Sequence, residues 1–156
     1  MIGKCAYGMV CLLACGDLAH GQSGRGNGSV DVVMMTMAYV QECIQVDELL
    51  RKTCARIGPH LSDKNREHCA LPSESFEART ARSYAAFKES YRAEIKENEA
   101  KLAKLLKKTG EAFEQQFAQV RAGKVSMLDL EALSRELKDR CVTVEREWLA
   151  QNRKPR

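Results

Sequence analysis

Residues 126–148 read SMLDLEALSRELKDRCVTVEREW. Leu130, Leu133, Leu137, Cys141, Val144 and Trp148 recur at spacings of three and four, so they form one apolar stripe of a helix. Ser126 followed three positions later by Asp129 has the pattern of a capping box. The hydroxyl takes an orphan N–H of the first turn, and the carboxylate takes the N–H of the cap itself. The stripe keeps close to a heptad period, as expected where helices lie side by side. No segment of the chain alternates with period two. The fold class that follows is all-α: a small antiparallel helical bundle, built as a long helical hairpin with a third, N-terminal helix.

Moving upstream, Gly123-Lys124-Val125 makes the reversal into that last helix. Before it, Tyr84, Phe87, Tyr91, Ile95, Asn98, Leu102, Leu105, Phe113, Phe117 and Val120 form a second stripe. Ser73 is the expected N-cap of this second helix, after Pro72 and with acidic Glu74 near its positive end. An unbroken helix from Ser73 to Arg121 would be about 70 Å long. Thr109-Gly110 is its one weak point, costing about 1 kcal/mol relative to alanine, and a break is expected there. A first helix is expected from Ser29 as N-cap to Ile57. Its stripe is Val33, Met37, Val40, Ile44, Val46, Leu50, Cys54 and Ile57, and Gly58-Pro59 stops it. The connector between the first two helices should hold a short helical turn beginning at Ser62.

The N-terminus reads as an export signal over residues 1–21. Lys4 supplies the positive start and Cys5 to Ala14 an uncharged run of ten, too short for a stable membrane span. Two cleavage patterns compete. Ala19-His20-Gly21 suits ordinary release, whereas Leu12-Leu13-Ala14-Cys15 resembles a bacterial lipobox, with Cys15 as the lipidated residue. Residues 22–29, QSGRGNGS, then read as a flexible tether, residues 30–152 as one helical domain, and residues 153–156 as a basic tail.

Either cleavage leaves four cysteines of the seven free to pair, Cys43, Cys54, Cys69 and Cys141, because Cys5 and Cys11 leave with the leader and Cys15 leaves or is lipidated. An even number in an exported chain points to two disulfides and an oxidising compartment such as the periplasm. Cys43 and Cys54 would lie about 16 Å apart on one helix, beyond the reach of a disulfide. Cys54 and Cys69 flank the same connector. The expected pairs are therefore Cys54–Cys69 and Cys43–Cys141. In a hairpin on an unbroken second helix the cysteines of the second pair would miss by roughly 20 Å along the axis. Either the long helix breaks near Gly110, which is the favoured reading, or the last helix slides down towards the first.

Composition narrows the function. A chain of 156 residues with 44% apolar and 29% charged residues is globular, and a net charge of +4 is too dispersed to indicate nucleic acid. His60 and His68 share the connector with Cys54 and Cys69, but their spacing matches no familiar zinc pattern. No metal, cofactor or catalytic set is expected. Tyr84, Phe87 and Tyr91 with Trp148 fill the helix interface or line a ligand groove. Lys101, Lys104, Lys107 and Lys108 form a solvated face or meet an acidic partner.

In format the chain resembles the small, exported, disulfide-stapled helical immunity proteins that bacteria encode beside interbacterial effectors. The resemblance lies in leader, size and staples, and no motif carries it. It implies a non-enzymatic binding protein that neutralises a toxin or envelope enzyme, in the periplasm, as monomer or homodimer, with membrane contact only through a lipid on Cys15. The expected contact is the polar face of the last two helices, Arg121, Lys124, Arg135 and Lys138. The alternative is a periplasmic helical chaperone or stress adaptor, because the Lys-rich hairpin resembles the arms of the trimeric outer-membrane-protein chaperones.

Overall fold

The computed structural model describes residues 27–151. The expected leader, the lipidation site Cys15 and the basic tail lie outside them. All regular structure among the described residues is helical. The first helix, α1, spans Asn27–Ile57, starting two residues before Ser29 and so inside the expected tether. A 3₁₀ turn (Gly58–His60), a short helix α2 (Asp63–Arg66) with Ser62 at its N-cap, and a second 3₁₀ turn (Glu67–Cys69) form the connector.

The second helix departs from expectation. It is divided into α3 (Phe76–Ser90), α4 (Arg92–Glu97), α5 (Glu99–Gln116) and α6 (Ala118–Arg121). Tyr91, Asn98 and Phe117 sit at the joints, with φ of −117°, −110° and −107°. Gly110 lies inside α5, where the helix continues through it. The break is therefore not at Gly110 but around Tyr91 and Asn98, and it is large. Phe76 N–H donates to Asp47 of α1 at 3.0 Å, while a Cβ on Gly110 would lie 3.7 Å from the Gln45 side chain. In one straight helix those two positions would be about 50 Å apart. Here they lie against the same stretch of α1, so the chain folds back through α4.

Two side chains contribute to the corner. Ser90 Oγ donates to the Ala86 carbonyl at 2.9 Å, and Asn98 Nδ2 to the Glu94 carbonyl at 2.9 Å. Such back-bonding competes with the helical ladder and bends it. Thr109 makes the same kind of bond to Leu105 without a break, so the contact permits the bend and does not compel it.

The last helix opens with α7 (Met127–Arg135), continues through π-helical stretches at Glu136–Cys141 and Val144–Trp148, and ends as α8 (Leu149–Gln151). Its capping box is present as the sequence indicates, Asp129 N–H donating to Ser126 Oγ and Ser126 N–H to Asp129 Oδ2. A π-helical turn takes more residues than an α-turn. The inward position accordingly slips by one, and Leu149, not Trp148, is the fully buried residue at the end of the stripe.

Directions follow from the contacts. Cys43 meets Cys141 and Tyr39 meets Trp148, so the last helix runs antiparallel to α1. Gln45 faces Gly110 and Arg56 faces Gly123, so α5 runs parallel to it. The result is an antiparallel bundle in which α1 packs against α3, α5 and the last helix together. That position explains why α1 is buried beyond a single stripe. Cys43, Leu49, Thr36, Asp47 and Thr53 are buried as well, while Ile44, Cys54 and Ile57 are half-buried at its edges.

Both disulfides form as the spacing argument required, Cys43–Cys141 with Cα atoms 5.6 Å apart and Cys54–Cys69 at 5.5 Å. The first lies in the core; the second ties the connector to α1. Paired thiols of this kind belong to an oxidising compartment. No described helix is long and apolar enough to cross a membrane.

Candidate functional site

The end of the bundle where α1 stops and the last helix begins gathers most of the features that could meet a partner. Gly123 turns the chain there with φ of +90°, and the Arg56 guanidinium from α1 closes over it, 3.0 Å from where a Cβ would sit. Positive φ is cheap for glycine and costly for other residues. Past the turn, Met127 and Leu128 stand in the first turn of α7 and are exposed, Leu128 to 67%. They lie outward because Leu130, Leu133 and Leu137 face the core. Asn65 of α2 contacts the Met127 sulfur at 3.9 Å, so the connector borders the same surface.

The four expected contact residues differ in their engagement. Arg121 bridges to Glu114 at 2.6 Å, and Arg135 to Glu131 at 2.6 Å. Lys138 Nζ donates to the Glu67 carbonyl at 2.8 Å, holding the connector. Lys124 is exposed in the turn and makes no side-chain hydrogen bond or ion pair among the described residues.

The aromatic groove does not assemble as drawn from sequence. Phe87 is fully buried, its ring tilted against Tyr91 at 5.0 Å and stacked on Tyr84 at 6.5 Å; Tyr84 is half-buried under the Lys88 ammonium, and burial pushes the Tyr84 phenol up. Trp148 is elsewhere, edge-on to Tyr39 at 5.0 Å. These rings fill helix interfaces. A shallow, open cleft of about 550 Å³ lies on the adjoining surface of the α3–α4 corner, lined by Ala85, Lys88, Arg92, Ile95 and Lys96 with Glu89 and Glu99. Arg92 is already paired with Glu89.

Sequence reasoning missed the charged groups of α1. Asp47 is buried; it accepts from Phe76 N–H and from Arg51 Nε at 2.8 Å. Its carboxylate thus sits at the positive N-terminus of α3. Arg51 also donates to the carbonyls of Pro72 and Glu74, and Ser75, not Ser73, caps α3 through Ala78 N–H. Glu42 is 93% covered and lies beside the core disulfide, 3.5 Å from Arg140, which also bridges Glu136 at 3.2 Å. Burial raises the Glu42 carboxyl above its ordinary range, and Arg140 only partly opposes this. Arg140 lies 6.0 Å from the centre of the Tyr39 ring, whose phenol burial also raises. The period-3.6 pattern held a signal for Asp47 alone, which follows the stripe position Val46; Glu42 lies two residues from both Val40 and Ile44 and is hidden because α1 is packed on three sides.

Among the described residues no three His, Cys, Asp or Glu side chains come together as a metal site. No family model, curated protein or solved structure matches this chain.

Proposed function

We propose that this protein is an exported, non-enzymatic binding protein of the periplasm, an immunity or inhibitor protein that neutralises a toxin or envelope enzyme by forming a tight complex. The observation that supports the reading most is the double stapling of α1. Cys43 joins it to the last helix and Cys54 joins it to the connector, so three surface segments are fixed relative to one another before any partner arrives. A preformed surface loses less conformational freedom on association, which leaves more of the contact energy as affinity. The expected leader and the paired cysteines agree on an oxidising compartment.

The fold-back at Tyr91–Asn98 favours this reading over a helical chaperone. Both legs, α3 and α5, pack on α1, so among the described residues the Lys-rich segment is no projecting arm. Affinity capture of the mature protein from its native envelope under oxidising conditions tests the proposal. One partner at near-equal stoichiometry is expected. A broad set of unfolded envelope clients, or no stoichiometric protein, would count against it.

A further inference from the structure

Resting on that binding reading, we infer that the contact surface is the connector end of the bundle, centred on Leu128 and Met127, and that its partner presents an apolar socket rimmed by carboxylates. Leu128 is the most exposed large apolar side chain among the described residues, at 67%, and Met127 beside it is at 40%. Neither is needed to fill the core, whose stripe on this helix begins at Leu130. An exposed leucine–methionine pair at a rigid helix start has the make-up of an interface centre: apolar, adaptable at the methionine, and held by capped backbone.

Charge selects the partner. The acids at this end are only partly matched within the chain: Asp63 pairs with Arg66 at 3.2 Å and Glu114 with Arg121, while Asp129, hydrogen-bonded to the Ser126 cap, and Glu67 of the connector form no ion pair among the described residues. Arg56, Lys64 and Lys124 form no ion pair among the described residues. With Lys138, which holds a carbonyl and no carboxylate, these cations outnumber the unpaired acids Asp129 and Glu67. The end around Leu128 therefore carries a positive excess, and an acidic rim opposite would steer encounter and fix register.

The backbone beneath is stiff. The Cys54–Cys69 disulfide closes the connector, Lys138 holds the Glu67 carbonyl, and the capping box fixes the start of α7. The four residues expected from sequence thus take different roles here. Lys124 is a contact group, Arg121 is half-used by Glu114, and Arg135 and Lys138 tie the chain to itself.

The test uses the full chain in its native envelope, with a photo-cross-linking benzoylphenylalanine placed at Met127 and, in separate samples, at Lys96 and Lys101 near the α3–α4 corner and on α5. Support is a single protein cross-linked through position 127 and not through 96 or 101. That protein, once isolated, must bind at least about tenfold more weakly to Leu128→Asp and to Lys124→Glu. Reversing the charge of an acidic residue that borders the cross-linked site on that protein must restore binding to Lys124→Glu. Circular dichroism and non-reducing mobility confirm that both variants fold. A single partner cross-linked through 96 or 101, with unchanged affinity for Leu128→Asp, overturns this surface while the binding reading stands. Absence of any stoichiometric partner at all three positions overturns both.

Discussion

Removing the two disulfides one at a time should expose how differently they hold the fold. Cys43–Cys141 spans 98 residues and Cys54–Cys69 spans 15. In the chain-entropy account, closing loops of these lengths restricts the unfolded chain by about 4.7 and about 3 kcal/mol respectively. Burial adds to the difference in the same direction. Cys43 and Cys141 are each 1% exposed, so alanine at both leaves a small unfilled volume in the core, while Cys54 and Cys69 lie at its edge. The Cys43→Ala/Cys141→Ala variant should therefore lose about 2 kcal/mol more than Cys54→Ala/Cys69→Ala. A loss near 5 kcal/mol approaches the whole stability of a small domain. Urea unfolding followed by far-UV circular dichroism, without reductant, reads both. The 54/69 variant should keep a cooperative transition at a lower midpoint, and the 43/141 variant should be largely unfolded or melt far earlier. Partial reduction with alkylation and mass analysis supplies a second reading: the half-buried Cys54–Cys69 pair should open first. A 54/69 variant that loses as much as the 43/141 variant would refute the assignment of the core staple.

Gly110→Ala should stabilise by about 0.5–1 kcal/mol and raise Tm by about 2–5 °C, because the site is helical and a new Cβ meets Gln45 at an ordinary 3.7 Å; a lower Tm would mean that α5 is bent there after all. Asp47→Ala should cost about 2–3 kcal/mol in urea melts, since it strips a buried acceptor from Phe76 N–H and from Arg51. Glu42→Gln tests the buried carboxyl. Burial raises its folded pKa above 4.5, so the native state binds the extra proton and stability falls as pH rises from 4.5 through the folded value. The variant, fixed in a neutral form, should gain on the parent between pH 4 and pH 7, with Trp148 fluorescence as the readout; a relative loss would show that attraction from Arg140 outweighs burial.

Much of the bundle was legible because the signals were local. Ser126 and Asp129 announce a capping box from identity alone, and Gly58-Pro59 ends α1 where helix chemistry says it must. The disulfide pairing was legible for a different reason: one alternative was excluded by length along a helix, and another was made less natural by the connector that Cys54 and Cys69 flank. Burial on α1 was less legible. A single-stripe reading assumes one wet face opposite one dry face, whereas a helix packed on three sides hides Thr36, Glu42 and Asp47 as well. The proposed contact surface was legible only in part. Lys124 could be named from the turn, and the stripe that begins at Leu130 leaves Leu128 off the inward face, but the period does not say that Leu128 stands as far out as 67% exposure.

The fold-back escaped the sequence for a reason that follows from the packing itself. A turn between helices is normally betrayed by glycine or proline, or by a stripe that changes phase. Here the joints are Tyr91 and Asn98, and the stripe Phe87, Tyr91, Leu102, Phe113 stays buried on both legs. It can do so because α3 and α5 pack against the same partner, α1, from two sides, so each leg needs its apolar face toward one helix. Bonds of the helical pattern also persist across the joints, with Tyr91 N–H reaching Phe87, Ile95 N–H reaching Tyr91, and Leu102 N–H reaching Asn98. Periodicity reports which residues face inward and is silent about the direction of the axis. The staple supplied what periodicity lacked. Cys43 and Cys141 could not meet across a straight hairpin in its simplest register, so their pairing asked for either a bend in the long helix or a slide of the last helix, and the structure takes the bend. The glycine at 110 drew the expectation by its low helix propensity, but a helix bends where its side chains find better partners. That place is the corner at which Tyr91 packs against Phe87 and Asn98 takes over the carbonyl of Glu94.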